Sequence, residues 1–312
     1  MEFKKIEDFA GYILNRLKEN YGANRSIELK TVQKNNGVSL LALAMENDES
    51  GFGPAIYVNP YHTQYLLGNM NLDEIIEDIM MLEKTTRFTG SAEINKIGDY
   101  DSIKNKIVFR LINAGWNKKL LEDVPHIPYL DLAIIFCLSL GATEYGTLTA
   151  VIHNKHMEHW NCSVKELWRT AADNTPRECP LEVRNMDDIF CDMVRANLGD
   201  EFDMSLLSAL LCDGDISRSM YVMSNSAGTY GAGSILYKDA LKNMAEKLGS
   251  DLIVIPSSVH EMLVTRYMPE SNTEELSELV KRVNQTDVAE EDRLSDEVYL
   301  YCRDTEQIRR MR

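Results

Sequence analysis

The ten residues "IPSSVHEMLV", positions 255–264, place two serines, a histidine and a glutamate in an otherwise apolar run. A serine nucleophile, a histidine base and an orienting carboxylate are the groups of a hydrolase. In an extended chain, however, Ser258 and His260 point to one face and Glu261 to the other, whereas triad members usually come from separate segments. The sequence therefore favours a strand that ends at Pro256, with Ser258 or Glu261 closing the turn that follows. The candidates for catalysis are Ser257, Ser258, His260 and Glu261.

A second candidate is the glycine-rich run "SNSAGTYGAGSILY", residues 224–237, which follows a predicted strand and precedes a predicted helix. This context suits a loop whose backbone N–H groups hold an anion. The glycine spacing is neither that of a P-loop, which also needs a lysine, nor that of a dinucleotide fold. The sequence therefore favours glycines that allow a turn and a close approach of helix and sheet. The candidates for ligand binding are Asn225, Gly231, Gly233 and Tyr237, and one hypothesis is that they border one cleft with His260.

Three histidines, His153, His156 and His159, recur at every third position of "VIHNKHMEHWNC", and Cys162 is one step further. On a helix of 3.6 residues per turn, steps of three rotate progressively around the axis, so that all four cannot converge on one ion. Zinc sites usually combine two pairs, and the rest of the sequence offers only single histidines such as His126. The pattern favours a structural role over a metal site, and no cofactor is indicated.

The composition limits the class of partner and the compartment. There are 49 acidic and 33 basic residues, a net charge of -16, and no basic run, so broad nucleic-acid binding is not expected. Six cysteines lack CxxC spacing, as is typical of reduced thiols in the cytoplasm. The first residues lack the apolar core of a signal peptide, and the longest apolar run, "LDLAIIFCLSL", is too short to span a bilayer. We expect a cytoplasmic protein without a membrane segment.

The N-terminal part predicts a helix, a hairpin, a strand and a second helix. Phe3, Ile6, Phe9, Ile13 and Leu17 form one apolar stripe. "SIELKTVQ" and "SLLALAM" flank Asn36-Gly37, a pair that supplies the positive φ angles of a tight turn. "AIYVNP" predicts a strand, and Asn71 with Glu74 predicts a capped helix. The polar run "TTRFTGSAEINKIGDYDS" predicts a boundary between domains 1–95 and 96–312.

In the larger domain, "LDLAIIFCLSLG" and "GTLTAVIHN" predict a strand pair. Ser163 and Glu166 predict a capping box for a helix that stops at Pro176, and Gly199 is expected to end the next helix. "SMYVMSNS", the glycine turn, "SILYKDALKNMAEKLG" and "DLIVIPSS" predict strand, loop, helix and strand, an order that permits a parallel crossover. A further helix and a final strand, "DEVYLYCRD", complete an α+β fold with mixed, largely antiparallel sheets.

Several of these stretches, taken in order, resemble an uncharacterised bacterial family, domain of unknown function 5688. They are "NAGWNKKLLEDVPHIPYLDLAIIF", "HNKHMEHWNCSVKELWRTAADNTPR", "YGAGSILYKDALKNMAEKLGSDLIVIPSSVHEML" and "LSDEVYLYCRD". The resemblance covers nearly the whole chain. It implies an intracellular protein of gut Firmicutes associated with mobile elements, and it emphasises Ser257, Ser258, His260 and Glu261. In the histidine run it emphasises Asn154, His156, Met157 and Trp160, which makes His153 and His159 incidental.

The leading hypothesis is a protein that acts by binding a protein or a small ligand, without catalysis of its own. One alternative is a hydrolase with His260 as general base and Ser258 or Ser257 as nucleophile. Another is an acidic surface that mimics nucleic acid and occupies a basic partner.

Overall fold

A computed structural model shows a chain that divides into two compact units. One consists of Met1–Ile107 and Cys137–Cys162, and the other of Val108–Phe136 and Ser163–Arg312. Helices and three antiparallel sheets make up the described part of the chain, so the predicted α+β class is confirmed. The structure describes residues 3–22, 26–46, 55–94, 99–143, 146–198, 220–269 and 273–311.

The first unit begins with the predicted helix and hairpin. Phe9, Ile13 and Leu17 lie fully buried on one face of the first helix. The hairpin turn contains Asn36 at φ 59° and Gly37 at φ 75°, which confirms the predicted turn chemistry. The elements are α1 (Ile6–Tyr21), β1 (Ser26–Gln33), β2 (Ser39–Glu46), β3 (Ala55–Tyr57), α2 (Asn59–Leu66), α3 (Leu72–Ile94) and α4 (Tyr100–Ile103).

The predicted N-terminal cap of α3 is confirmed, because the Asn71 carboxamide accepts the N–H groups of Asp73 and Glu74 at 3.0 and 3.1 Å. The Glu74 carboxylate accepts the Asn71 N–H at 2.8 Å in return. The helix then continues through residues 85–94, the beginning of the polar run at which the sequence predicted a domain boundary.

The next part of the chain supplies a four-stranded sheet. The predicted strand pair is confirmed as β6 and β7, and β6 lies between β4 and β5. The predicted stop of α7 at Pro176 is wrong. The helix runs two residues further, since the Cys179 N–H still bonds the Thr175 carbonyl at 2.9 Å. The elements are β4 (Ile107–Asn113), α5 (Lys118–Leu121), β5 (His126–Tyr129), β6 (Leu132–Thr143), β7 (Gly146–Val151), α6 (Asn154–Trp160) and α7 (Val164–Glu178).

The second unit holds a six-stranded sheet in the order β13-β12-β10-β11-β9-β8, with antiparallel neighbours throughout. Because β11 lies between β9 and β10, these two strands run in the same direction, and their crossover is of the split type. Its elements are β8 (Leu181–Asn185), α8 (Met186–Leu198), β9 (Met220–Asn225), α9 (Ala240–Leu248), β10 (Leu252–Pro256), β11 (Met262–Arg266), α10 (Thr273–Thr286), β12 (Tyr299–Cys302) and β13 (Gln307–Arg310).

The ends of two helices in this unit were predicted from the sequence. The helix expected from Ser234 begins only at Ala240, because Gly231–Leu236 form a 3₁₀ turn. It ends as predicted at Gly249, where φ is 66°. The expected cap Gly199 lies outside the described residues.

Each face of the six-stranded sheet buries apolar side chains. Ile253, Ile255 and Leu300 pack with Val280 of α10 on one face. Side chains of the opposite face, among them Met223, Val254 and Val264, are fully buried. In the part of the chain that the structure describes, we find no helix with the length and apolarity required to cross a bilayer.

Candidate functional site

The glycine turn packs directly against the chain between β10 and β11. A Cβ atom on Gly231 would lie 2.1 Å from the Ser224 Oγ and 2.5 Å from the His260 carbonyl oxygen. The Ala232 N–H also donates to the Val259 carbonyl at 3.2 Å. Only glycine fits at position 231, and the turn and the segment around His260 are therefore in contact.

Both ring nitrogens of His260 are occupied by groups of the protein. Nδ1 accepts the backbone N–H of Tyr230 at 3.2 Å, and Nε2 lies 3.1 Å from Oδ1 of Asp292. A backbone N–H can only donate, so Nδ1 carries no proton, and the neutral ring donates to Asp292 through Nε2. His260 thus links the glycine turn to the short 3₁₀ turn Glu290–Asp292.

The serines bond to other groups than the imidazole. Ser258 Oγ accepts the His260 backbone N–H at 3.0 Å, and Ser257 Oγ donates to the Glu261 carboxylate at 3.2 Å. The Ser258 N–H donates to the Glu261 carbonyl at 3.3 Å, which closes a tight turn after Pro256. The predicted strand end at Pro256 is confirmed.

We call the side chains of Ser257, Ser258, His260, Glu261 and Asp292 the His260 cluster. All five residues are half-buried, and the side chains of His260 and Asp292 expose 34% and 40% of their surface. The cluster therefore presents an imidazole edge, hydroxyl groups and two carboxylates to solvent. Most of these groups accept hydrogen bonds, which favours a partner rich in donors.

The residues predicted to bind a ligand lie just below this surface. Asn225 is buried, and its side chain donates to the Thr229 carbonyl at 3.1 Å and accepts the Ala227 N–H at 3.1 Å, which shapes the turn. Gly231 and Gly233 are buried, and Gly233 leaves room for the Phe109 ring, whose edge lies 3.2 Å from the point that a Cβ atom at position 233 would occupy.

Tyr237, the fourth of these residues, is also buried, and its hydroxyl donates to the Cys179 carbonyl at 2.9 Å. Burial raises the pKa of the Tyr237 hydroxyl, so this group stays a neutral donor. The binding role of Asn225, Gly231, Gly233 and Tyr237 stays a prediction.

Arg110 is a neighbour that the sequence reasoning missed. This arginine lies on β4, is 8% exposed, and stacks its guanidinium 4.2 Å from the centre of the Tyr230 ring. The Tyr230 ring is also 5.7 Å from the imidazole of His260. A single cation in the apolar run "IVFRLIN" is the sequence signal that could have identified it.

A second polar network, also missed, surrounds Asp131. Its carboxylate accepts the hydroxyl of Ser295 at 2.6 Å and that of Tyr299 at 2.8 Å. Ser295 and Tyr299 are fully buried. Burial and the nearby charge of Asp131 raise the pKa of the Tyr299 hydroxyl, which keeps it a donor. The sequence signal was an aspartate inside an apolar strand.

The same region ties β4 to the chain before β12. The buried side chain of Asn113 donates to the Leu294 carbonyl at 3.0 Å and accepts the Trp116 N–H at 2.9 Å. Asn284 of α10 donates to the Ser295 carbonyl at 2.9 Å. This network fixes the segment that carries Asp292, and it thereby supports the His260 cluster from below.

The histidine run begins α6 in the first unit. The ring of His156 accepts the backbone N–H of His153 at 2.9 Å and stacks on Trp160 with 5.5 Å between ring centres. His153 is the N-cap residue of the helix. Within the described ranges, no three His, Cys, Asp or Glu side chains form a group that could hold a metal ion.

The fold and this site define the class as an α+β protein with a split-crossover sheet and a rigid polar surface at one turn. A comparison with family models matches residues 6–303 to the family of unknown function DUF5688. The chain belongs to this family, as the sequence resemblance indicated. No curated protein and no solved structure matches the chain.

Proposed function

We propose that this protein acts by binding, and that the His260 cluster is its recognition surface. One observation carries the proposal: both ring nitrogens of His260 are held by the protein itself. A general base needs a free lone pair directed at a nucleophile, and here the lone pair of Nδ1 receives the Tyr230 N–H instead. This arrangement supports a preorganised surface rather than a hydrolase.

The chemistry of the surface indicates what kind of partner it would recognise. Glu261 and Asp292 are partly exposed, and Glu290 and Glu291 precede Asp292 on the same turn. Together with the net charge of -16, these carboxylates favour a protein or small ligand with hydrogen-bond donors or positive charge. Because the turns are already locked by hydrogen bonds, little ordering is needed when the partner binds.

The test is affinity capture from the native host with three forms of the full chain. These are the wild type, the variant with His260→Ala and Ser258→Ala, and a control with His159→Ala and Ser102→Ala in the other unit. We expect the wild type and the control to retain the same partner and the first variant to lose it. The same partners on all three forms would remove the His260 cluster from the account of function.

A second measurement addresses the hydrolase alternative. A fluorophosphonate probe reacts with activated serines, and we expect no labelling of Ser257 or Ser258 in the folded protein. Labelling that disappears in Ser258→Ala or Ser257→Ala would replace the binding proposal by the hydrolase. A thermal melt of each variant verifies that the compared proteins are folded.

A further inference from the structure

The six-stranded sheet ends at β8, a strand whose outer edge is open in the described part of the chain. Here β8 pairs with β9 and with no other strand. Residues 181–184 are all exposed, including the apolar side chains of Leu181 at 39% and Val183 at 36%. An open edge of this kind presents unpaired backbone groups that another strand can bond.

The hydrogen-bond alternation shows which backbone groups point outward. The Ser226 N–H donates to the Pro180 carbonyl at 2.9 Å, so Pro180 bonds inward to the β9 side. In an antiparallel ladder inward and outward residues alternate, and Glu182 and Arg184 therefore also bond β9. The N–H and C=O groups of Leu181, Val183 and Asn185 face the open edge.

The side chains of this strand complement a second copy of themselves. If two β8 strands pair antiparallel about Val183, Glu182 of one chain lies opposite Arg184 of the other, and the reverse holds by symmetry. The same register makes Val183 face Val183, and Leu181 face Asn185, with the outward backbone groups of all three in bonding positions. Two cross-strand ion pairs and a backbone ladder thus arise from one register.

The neighbouring helix is compatible with this pairing. Arg184 bonds Asp192 of α8 within the chain, yet its side chain stays 42% exposed and a guanidinium has several donors for a second carboxylate. Phe190 and Met193 of α8 are 45% and 58% exposed and provide further apolar area beside the strand.

We propose that two copies of this chain associate through β8 and form a continuous sheet across a two-fold axis. The partner is a second copy because the charges of Glu182 and Arg184 match when the strand pairs with itself. This interface is separate from the His260 cluster and does not depend on the proposed function.

The experiment measures mass by light scattering and sedimentation over a range of concentrations for the full chain of 35.5 kDa. We expect the wild type to approach twice this mass. Glu182→Arg alone and Arg184→Glu alone each place like charges opposite one another, and each should weaken dimerisation at least about tenfold. An equimolar mixture of the two variants restores opposite charges in every cross-strand pair, so the mixture should dimerise again.

Two further variants separate this interface from local damage. Val183→Pro removes an outward N–H without removing a bond to β9, and it should abolish the dimer. Asp192→Ala breaks only the pair within the chain and should leave the dimer intact. The proposal is overturned if the wild type has the mass of one chain at every concentration. A dimer that persists in both charge variants, or a mixture that stays monomeric, would overturn it equally.

Discussion

The imidazole of His260 accepts a hydrogen bond from the backbone N–H of Tyr230 at 3.2 Å, across 30 positions of sequence. This contact joins the glycine turn to the turn after β10. It also consumes the lone pair that a general base would use, and so it separates a rigid binding surface from a catalytic centre.

Replacement of His260 should show that the ring holds the two turns together. His260→Ala leaves the Tyr230 N–H and Asp292 without this partner, and should lower the free energy of unfolding by about 1–3 kcal/mol. His260→Asn places an acceptor near the position of Nδ1 and should retain part of this stability. Urea unfolding measures both, and an alanine variant as stable as the wild type would argue against the clamp.

Gly231→Ala should be among the more damaging changes in the glycine turn. Its Cβ would overlap Ser224 and the His260 carbonyl, and we expect a loss of at least about 2 kcal/mol in the free energy of unfolding. Gly228→Ala is the matched control, because its Cβ has no atom within 4 Å and only its positive φ of 61° is unfavourable, at about 1 kcal/mol. Equal losses in the two variants would contradict the close contact.

The pair of Asp131 and Tyr299 should be energetically coupled. Tyr299→Phe removes one buried hydrogen bond and should cost about 1 kcal/mol, whereas Asp131→Ala strands two hydroxyl groups and should cost more. In a double-mutant cycle the two losses should fail to add by about 1 kcal/mol. Simple additivity would mean that the hydrogen bond of 2.8 Å contributes little to folding.

The capping box of α7 predicts a dependence of stability on pH. The hydroxyl and backbone N–H of Ser163 lower the pKa of the Glu166 carboxyl. A carboxyl with a lowered folded-state pKa stabilises the protein above its unfolded pKa, and this contribution is lost as the pH falls through the folded pKa. Ser163→Ala should therefore flatten the decline of stability in acid, and Ser163→Thr, which keeps a hydroxyl, should preserve it. Unfolding curves at several acidic pH values measure the difference.

Two cysteines should differ in their rate of alkylation. The hydroxyl and backbone of Thr305 lower the pKa of the Cys302 thiol, while burial, and next the charge of Glu178, raise the pKa of the Cys179 thiol. Since the thiolate is the nucleophile, iodoacetamide near neutral pH should modify Cys302 first. Thr305→Ala should slow this reaction and leave the rate at Cys179 unchanged. Peptide mass spectrometry follows both rates, and faster modification of Cys179 would contradict the expectation.

Local sequence determined the elements whose signals lie within a few residues. Asn36-Gly37 specified the hairpin, Asn71 and Ser163 specified helix starts, and the apolar run at 132–140 specified a central strand. These signals depend on backbone conformation and on hydrogen bonds between near neighbours, which the sequence alone can express. The end of α7 was wrongly predicted because a proline in the last turn did not prevent the final hydrogen bond.

Only the tertiary structure decided the partners of the polar side chains. His260 meets Tyr230 and Asp292 at 30 and 32 positions away, and Asp131 meets Tyr299 at 168. The sequence identified His260 and the glycine turn as polar groups in apolar surroundings, yet which atoms they bond depends on the order of strands in the sheet. A strand order is set by burial summed over the whole unit, and no local pattern of residue types encodes it.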